Sequence, residues 1–130
     1  MADSSDLVQP SVVRNPADPT ALIIFFRDRN AKHIFFASST DEGVSWSTPV
    51  PTVLPNNNAG IEAYPLLHSG DGIILAFNPQ TAGRDPLAVG QSCRCLPPSS
   101  NHSFSSLSAF VVIFSVSVSV SVSASASVCG

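Results

Sequence analysis

Few residues of this chain can do chemistry, and the clearest pair lies in the run Ile61–Leu67. Glu62 and Tyr64 are two apart there, and side chains two apart on a strand share a face. A strand would therefore set a carboxylate beside the chain's one tyrosine, two groups that can hold and pass protons. A second concentration is Ser39-Thr40-Asp41-Glu42-Gly43-Val44-Ser45-Trp46, in which Ser39, Asp41, Gly43, Ser45 and Trp46 fit the pattern Ser-x-Asp-x-Gly-x-Ser/Thr-Trp. Its physics is that of a stapled hairpin turn. The Asp accepts backbone N–H bonds across the loop, the Gly supplies a left-handed residue, and the Trp folds back as an apolar plug. No metal site is expected. His33 and His68 have no second ligand nearby, and Cys93-x-Cys95 lacks the spacing and second pair that zinc needs.

The elements that must hold these residues read as short strands between turns. Leu22–Phe26 is a β-branched and aromatic run closed by Arg27-Asp28-Arg29-Asn30, and His33–Ala37 is closed by Ser38-Ser39-Thr40-Asp41. Ile61–Leu67 is followed by Ser69-Gly70-Asp71-Gly72, a hairpin signal because Gly and Asp tolerate the positive φ of tight turns. Ile73–Phe77 and Leu87–Val89 follow. Nine of the eleven prolines precede Ser92, at run edges and in loops, as strand pairing requires. Short strands at about ten-residue spacing, with no capped helical stretch, indicate an antiparallel all-β unit.

Nine acidic and six basic residues give 130 residues a net charge of −3, with no basic footprint for nucleic acid. All of them lie between Asp3 and Arg94, so Cys95–Gly130 is uncharged. From Ser115 to Ser127 every odd position is Ser, with Val or Ala between. Three readings of this tail stand open. Strict alternation is strand-like and, uncharged and free of Pro, prone to cross-β aggregation. Leu107–Val128 is long enough to cross a bilayer, although its many hydroxyls would enter lipid without partners. A two-residue repeat is also what translation through an intron or a shifted frame would give. Asn101-His102-Ser103 is a glycosylation sequon, meaningful only in a secreted chain, and Met1–Asp6 shows no signal peptide.

The eight-residue motif resembles the Asp-box, or bacterial neuraminidase repeat, of the sialidase superfamily. The likeness extends to Gln9-Pro10-Ser11 with Phe26-Arg27-Asp28-Arg29, to Leu54-Pro55-Asn56-Asn57-Asn58-Ala59-Gly60-Ile61-Glu62-Ala63, to Asp71–Asn78 and to Gly83-Arg84-Asp85-Pro86-Leu87. It implies a six-bladed β-propeller, each blade a four-stranded antiparallel sheet of about 45 to 55 residues. On that template residues 7–92 hold about 1.75 blades, with inner strands at Gln9–Val13 and Ile61–Leu67. A second Asp-box is expected from Ser92, but Ser92-Cys93-Arg94-Cys95-Leu96-Pro97-Pro98 has no Asp, Gly or Trp. Residues 93–130 are accordingly expected to form a low-complexity tail outside the fold.

The resemblance implies an exo-glycosidase lineage that hydrolyses terminal sialic acid or a related glycan. Three arginines typically clamp the sialic acid carboxylate, a Tyr–Glu pair serves as nucleophile, and an Asp supplies acid/base function. Arg27, Arg29 and Arg84 fall within matching motifs and are the expected substrate-binding residues. Glu62 stands where the family has Asp and is the expected acid/base group. Tyr64 is a weaker catalytic candidate, because the family's Tyr and Glu come from later blades, and it reads better as packing. No cofactor is implied, and the partner is a glycan. The 130-residue chain is expected to be inactive; the alternative is a non-catalytic Asp-box module that binds glycan or protein. Open blade edges and the Ser/Val tail invite self-association. A soluble chain is favoured over a tail-anchored one, and its compartment is not legible.

Overall fold

The computed structural model describes residues 6–16, 18–66, 72–92 and 110–116. Eight strands form two four-stranded antiparallel sheets in simple up-and-down order. The first holds β1 (Leu7–Asn15), β2 (Asp18–Asp28), β3 (His33–Ser39) and β4 (Val50–Pro55); the second holds β5 (Glu62–Leu66), β6 (Gly72–Phe77), β7 (Leu87–Ser92) and β8 (Phe110–Val116). Each expected run is a strand, and β2 is longer than its apolar run because Asp18-Pro19-Thr20 leads into it. Prolines occur inside strands as well as between them. Pro10, Pro51, Pro55 and Pro65 lie on β1, β4 and β5, edge strands of their sheets, and Pro19 is the second residue of the central strand β2, at its start.

Phe110–Val116, within the uncharged tail, runs antiparallel to β7 from Ser92↔Phe110 to Leu87↔Val116. Its β-branched and aromatic composition suits a strand that covers an otherwise open edge. The tetrad at 69–72 apart from Gly72, His68, Cys93, Cys95, the sequon and the Ser/Val repeat beyond Val116 lie outside the described residues.

One face of each sheet enters a shared core. Val13, Ile23, Phe25, Ile34 and Leu54 from the first unit pack with Ile61, Ala63, Ile73, Leu75, Phe77 and Ala88 from the second. The alternation of strand side chains places these residues on one side. β1 and β5 are the first strands of their sheets and lie side by side at this joint.

The β3–β4 turn is the stapled hairpin expected from its sequence. Ser39 Oγ accepts Gly43 N–H at 2.8 Å and donates to Asp41 Oδ1 at 2.8 Å. Asp41 in turn accepts Ser45 N–H at 2.8 Å and the Ser45 hydroxyl at 2.6 Å. Trp46 Nε1 donates to Gly43 O at 3.0 Å, which folds the indole back over the turn. Gly43 has φ +88°, while a Cβ there would meet Leu22 and Trp46 only at ordinary contact distance. The backbone conformation, and not the space, is what requires glycine. An ion pair that sequence did not reveal ties this turn to β1: Arg14 donates to both Glu42 carboxylate oxygens, at 2.9 and 3.1 Å. It is exposed and contributes little to stability.

The Ser45 hydroxyl foremost, then its N–H and the Ser39 hydroxyl, hold the Asp41 carboxyl at about 2, below its ordinary value of 3.8. A lowered folded-state pKa means the unfolded chain binds the proton more tightly. The turn's contribution is therefore complete above the unfolded value and lost as pH falls through about 2. Trp46, the one tryptophan, reports it. Its emission is expected to hold steady from neutral pH down to about pH 4 and to shift red below that. A transition centred above pH 5 would show that Asp41 does not staple the turn.

Candidate functional site

Strand direction sorts the singled-out residues to two ends of the sheets. The β2–β3, β4–β5 and β6–β7 loops all emerge at the end where β1 and β5 begin. Arg27, Arg29, Glu62 and Arg84 belong to that end, whereas Ser39, Asp41, Gly43, Ser45 and Trp46 form the β3–β4 turn at the other. The residues able to act on a ligand are thus separated from those that staple a hairpin.

Arg27 is half-buried near the end of β2, paired in register with Val8. Its Nη1 donates to Asn58 O at 2.7 Å, and its Nε is buried without an acceptor. No carboxylate pairs with it among the described residues. Arg29 is exposed in the β2–β3 turn, where its N–H donates to Asp6 O at 2.9 Å. Arg84 is exposed on the β6–β7 loop, which Asn78 pins by donating to Arg84 O at 2.7 Å and Pro86 O at 2.9 Å. No ion pair joins Arg84 to Asp85 among the described residues.

Glu62 and Tyr64 are both exposed on β5, with buried Ala63 between them, so they do share a face. They are not hydrogen-bonded to each other among the described residues. Glu62 Oε1 instead accepts the Ser11 hydroxyl at 3.2 Å, and Tyr64 is 67% exposed.

Ser11 and the asparagines at 56–58 complete this end and were not assigned roles from sequence. A bulge between Val8 and Ser11, with Gln9 at φ 51°, re-aims Ser11 toward the second sheet. Its buried Oγ accepts Ala63 N–H at 2.9 Å, linking the sheets. Asn56 is fully buried; its Oδ1 accepts Asp28 N–H at 3.1 Å and Asn58 N–H at 3.0 Å. Asn57 accepts Ala59 N–H at 2.9 Å and donates to Gly83 O. These side chains substitute for backbone ladders in a loop, as Asn does in Asx turns. The loop thereby joins Arg27 on one side to the Arg84 loop on the other. Three consecutive asparagines after a strand were the available signal; their burial was not.

The match to a family model decides the lineage. Residues 1–109 match the BNR repeat-like domain. The chain belongs to that family. No curated protein and no solved structure matches it. In this BNR chain the two sheets are blades of the propeller type, and the Asp-box-like turn closes the first of them. Among the described residues no group of three His, Cys, Asp or Glu side chains is placed to hold a metal ion. What the BNR loop end offers chemically is mixed charge: the half-buried Arg27 guanidinium and the exposed cations Arg29, Lys32 and Arg84, together with the carboxylates of Asp6, Asp28, Glu62 and Asp85.

Ser11→Ala is expected to cost about 1–3 kcal/mol, because it orphans the buried Ala63 N–H at the joint between blades. Urea unfolding checks this, and a change below about 0.5 kcal/mol would show that the bond does not hold the blades together.

Proposed function

We propose that the loop end of this blade pair binds the carboxylate of an acidic glycan, sialic acid being the type ligand, without hydrolysing it. The observation that supports binding is the state of Arg27. A half-buried cation is costly unless paired, and this one has a single backbone acceptor among the described residues. A carboxylate, which a guanidinium fork matches with two parallel hydrogen bonds, would complete it. Arg29 and Arg84 lie at the same end in exposed positions, but Asp6 and Asp85 beside them leave Arg27 as the group that carries the reading.

A second observation favours the non-catalytic reading over hydrolysis. Glu62 is engaged by Ser11 and Tyr64 stands clear of it, so the two do not form an activated nucleophile on β5. The sialidase-like lineage supports the ligand class, and the separation of Glu62 from Tyr64 supports the reading without turnover. A fluorogenic sialoside incubated with the purified 130-residue chain is expected to release no fluorophore above the no-protein rate, with an active sialidase as control. Saturable release would overturn the non-catalytic reading.

A further inference from the structure

We propose that Gln9 reads the hydroxyl groups of the ligand whose carboxylate Arg27 holds, an inference that rests on the carboxylate reading of Arg27. Four non-glycine residues among those described have positive φ. Ala31, Glu42 and Asn58 lie in turns or loops, and Gln9 alone, at φ 51°, lies within a strand. The bulge there serves the fold by aiming Ser11, a task that a glycine would perform with less strain. The Gln9 side chain adds no bond to the fold: it is exposed, and no hydrogen bond engages its amide among the described residues. Residues held in such sparsely populated backbone regions cluster at functional sites.

The surroundings of the amide fit that role. Val8, the residue before it, is paired in register with Arg27, and Ser11, two residues on, donates to Glu62 at 3.2 Å. Gln9 Oε1 lies over Gly60, 3.8 Å from the place a Cβ would take, and no other group beyond the chain neighbours comes within 4 Å of that place. Gly60 is two residues from Asn58, whose O accepts Arg27, and two from Glu62. The amide thus stands between the guanidinium and the Glu62 carboxylate, beside open space. An amide both donates and accepts, which matches a hydroxyl, and its neutrality leaves the ligand's carboxylate to Arg27. The ligand class that fits is a carboxylate on a hydroxyl-bearing ring, in preference to a ring acid without hydroxyls.

Isothermal titration of the full chain with N-acetylneuraminic acid and with cyclohexanecarboxylate, a ring acid without hydroxyls, tests this. Gln9→Gly is expected to lower sialic acid affinity by about 5- to 10-fold, the loss of one hydrogen bond. Its affinity for cyclohexanecarboxylate is expected to stay unchanged, and its urea midpoint to be no lower than that of the wild type. Gln9→Asn, whose shorter amide tolerates positive φ, is expected to lose sialic acid affinity in the same way. Arg27→Lys is expected to weaken both acids. A lower urea midpoint in Gln9→Gly, an equal loss for both acids, or wild-type sialic acid affinity in either Gln9 variant would overturn the role of Gln9 alone. Failure of the wild-type chain to bind either acid would overturn the carboxylate reading, and this inference with it.

Discussion

Phe25→Ala is expected to lower the unfolding free energy by about 3–5 kcal/mol, the cost of emptying a fully buried aromatic site. Phe25 is fully buried in the middle of β2, opposite Ser11 on β1 and Phe36 on β3. Its ring lies 6.4 Å from that of Phe36 at a tilt of 38°, an arrangement aromatic pairs favour. Truncation removes the ring from the core that both sheets share, and neighbouring strands, fixed by their ladders, cannot close the gap. Small domains hold only about 5–15 kcal/mol in total, so the variant loses a large share of it. Urea unfolding should show a lower midpoint with an unchanged slope. Val44→Ala, at an 86% exposed position on the β3–β4 turn, should stay within about 0.5 kcal/mol. A loss below about 1 kcal/mol for Phe25→Ala would mean that the sheets do not share one cooperative core.

Arg27→Lys is expected to weaken sialic acid binding by about 30-fold or more, equivalent to about 2 kcal/mol. Lysine keeps the charge but not the planar fork that matches a carboxylate. It also gives up the fixed placement that Asn58 O provides to Nη1. Arg29→Ala should change affinity by no more than about 3-fold, since an exposed turn arginine acts through a screened field. Isothermal titration on the two variants and the wild type measures both. Equal losses at the two positions would show that general charge, and not the Arg27 geometry, holds the ligand.

Much of this fold was legible in the sequence because its information is local. β-branched and aromatic runs between turn residues marked the strands, and the Ser39–Trp46 pattern specified its own turn and the positive φ of Gly43, though not that of Glu42. The placement of Arg27, Glu62 and Arg84 at one end followed from simple up-and-down order once the strands were known. What escaped was long-range. Ser11 bonds across 52 positions to Ala63, and Arg14 across 28 to Glu42; nothing in either local pattern announces the partner. The burial of Asn56 was not legible either, because burial of a polar side chain depends on which backbone groups the fold leaves unpaired. β8 was hidden behind the charge boundary at Arg94, which marks a change of composition, whereas pairing with β7 needs only a β-branched run.

The most direct test of carboxylate binding at the loop end is a ¹H–¹⁵N correlation titration of the 130-residue chain with N-acetylneuraminic acid. Saturable shifts are expected at Arg27, at residues 56–60 and at Gly83 and Arg84, with none at the Asp-box-like turn from Ser39 to Trp46, and none with the neutral methyl ester. Absence of saturable shifts at the loop end, or an equal response to the ester, would contradict it.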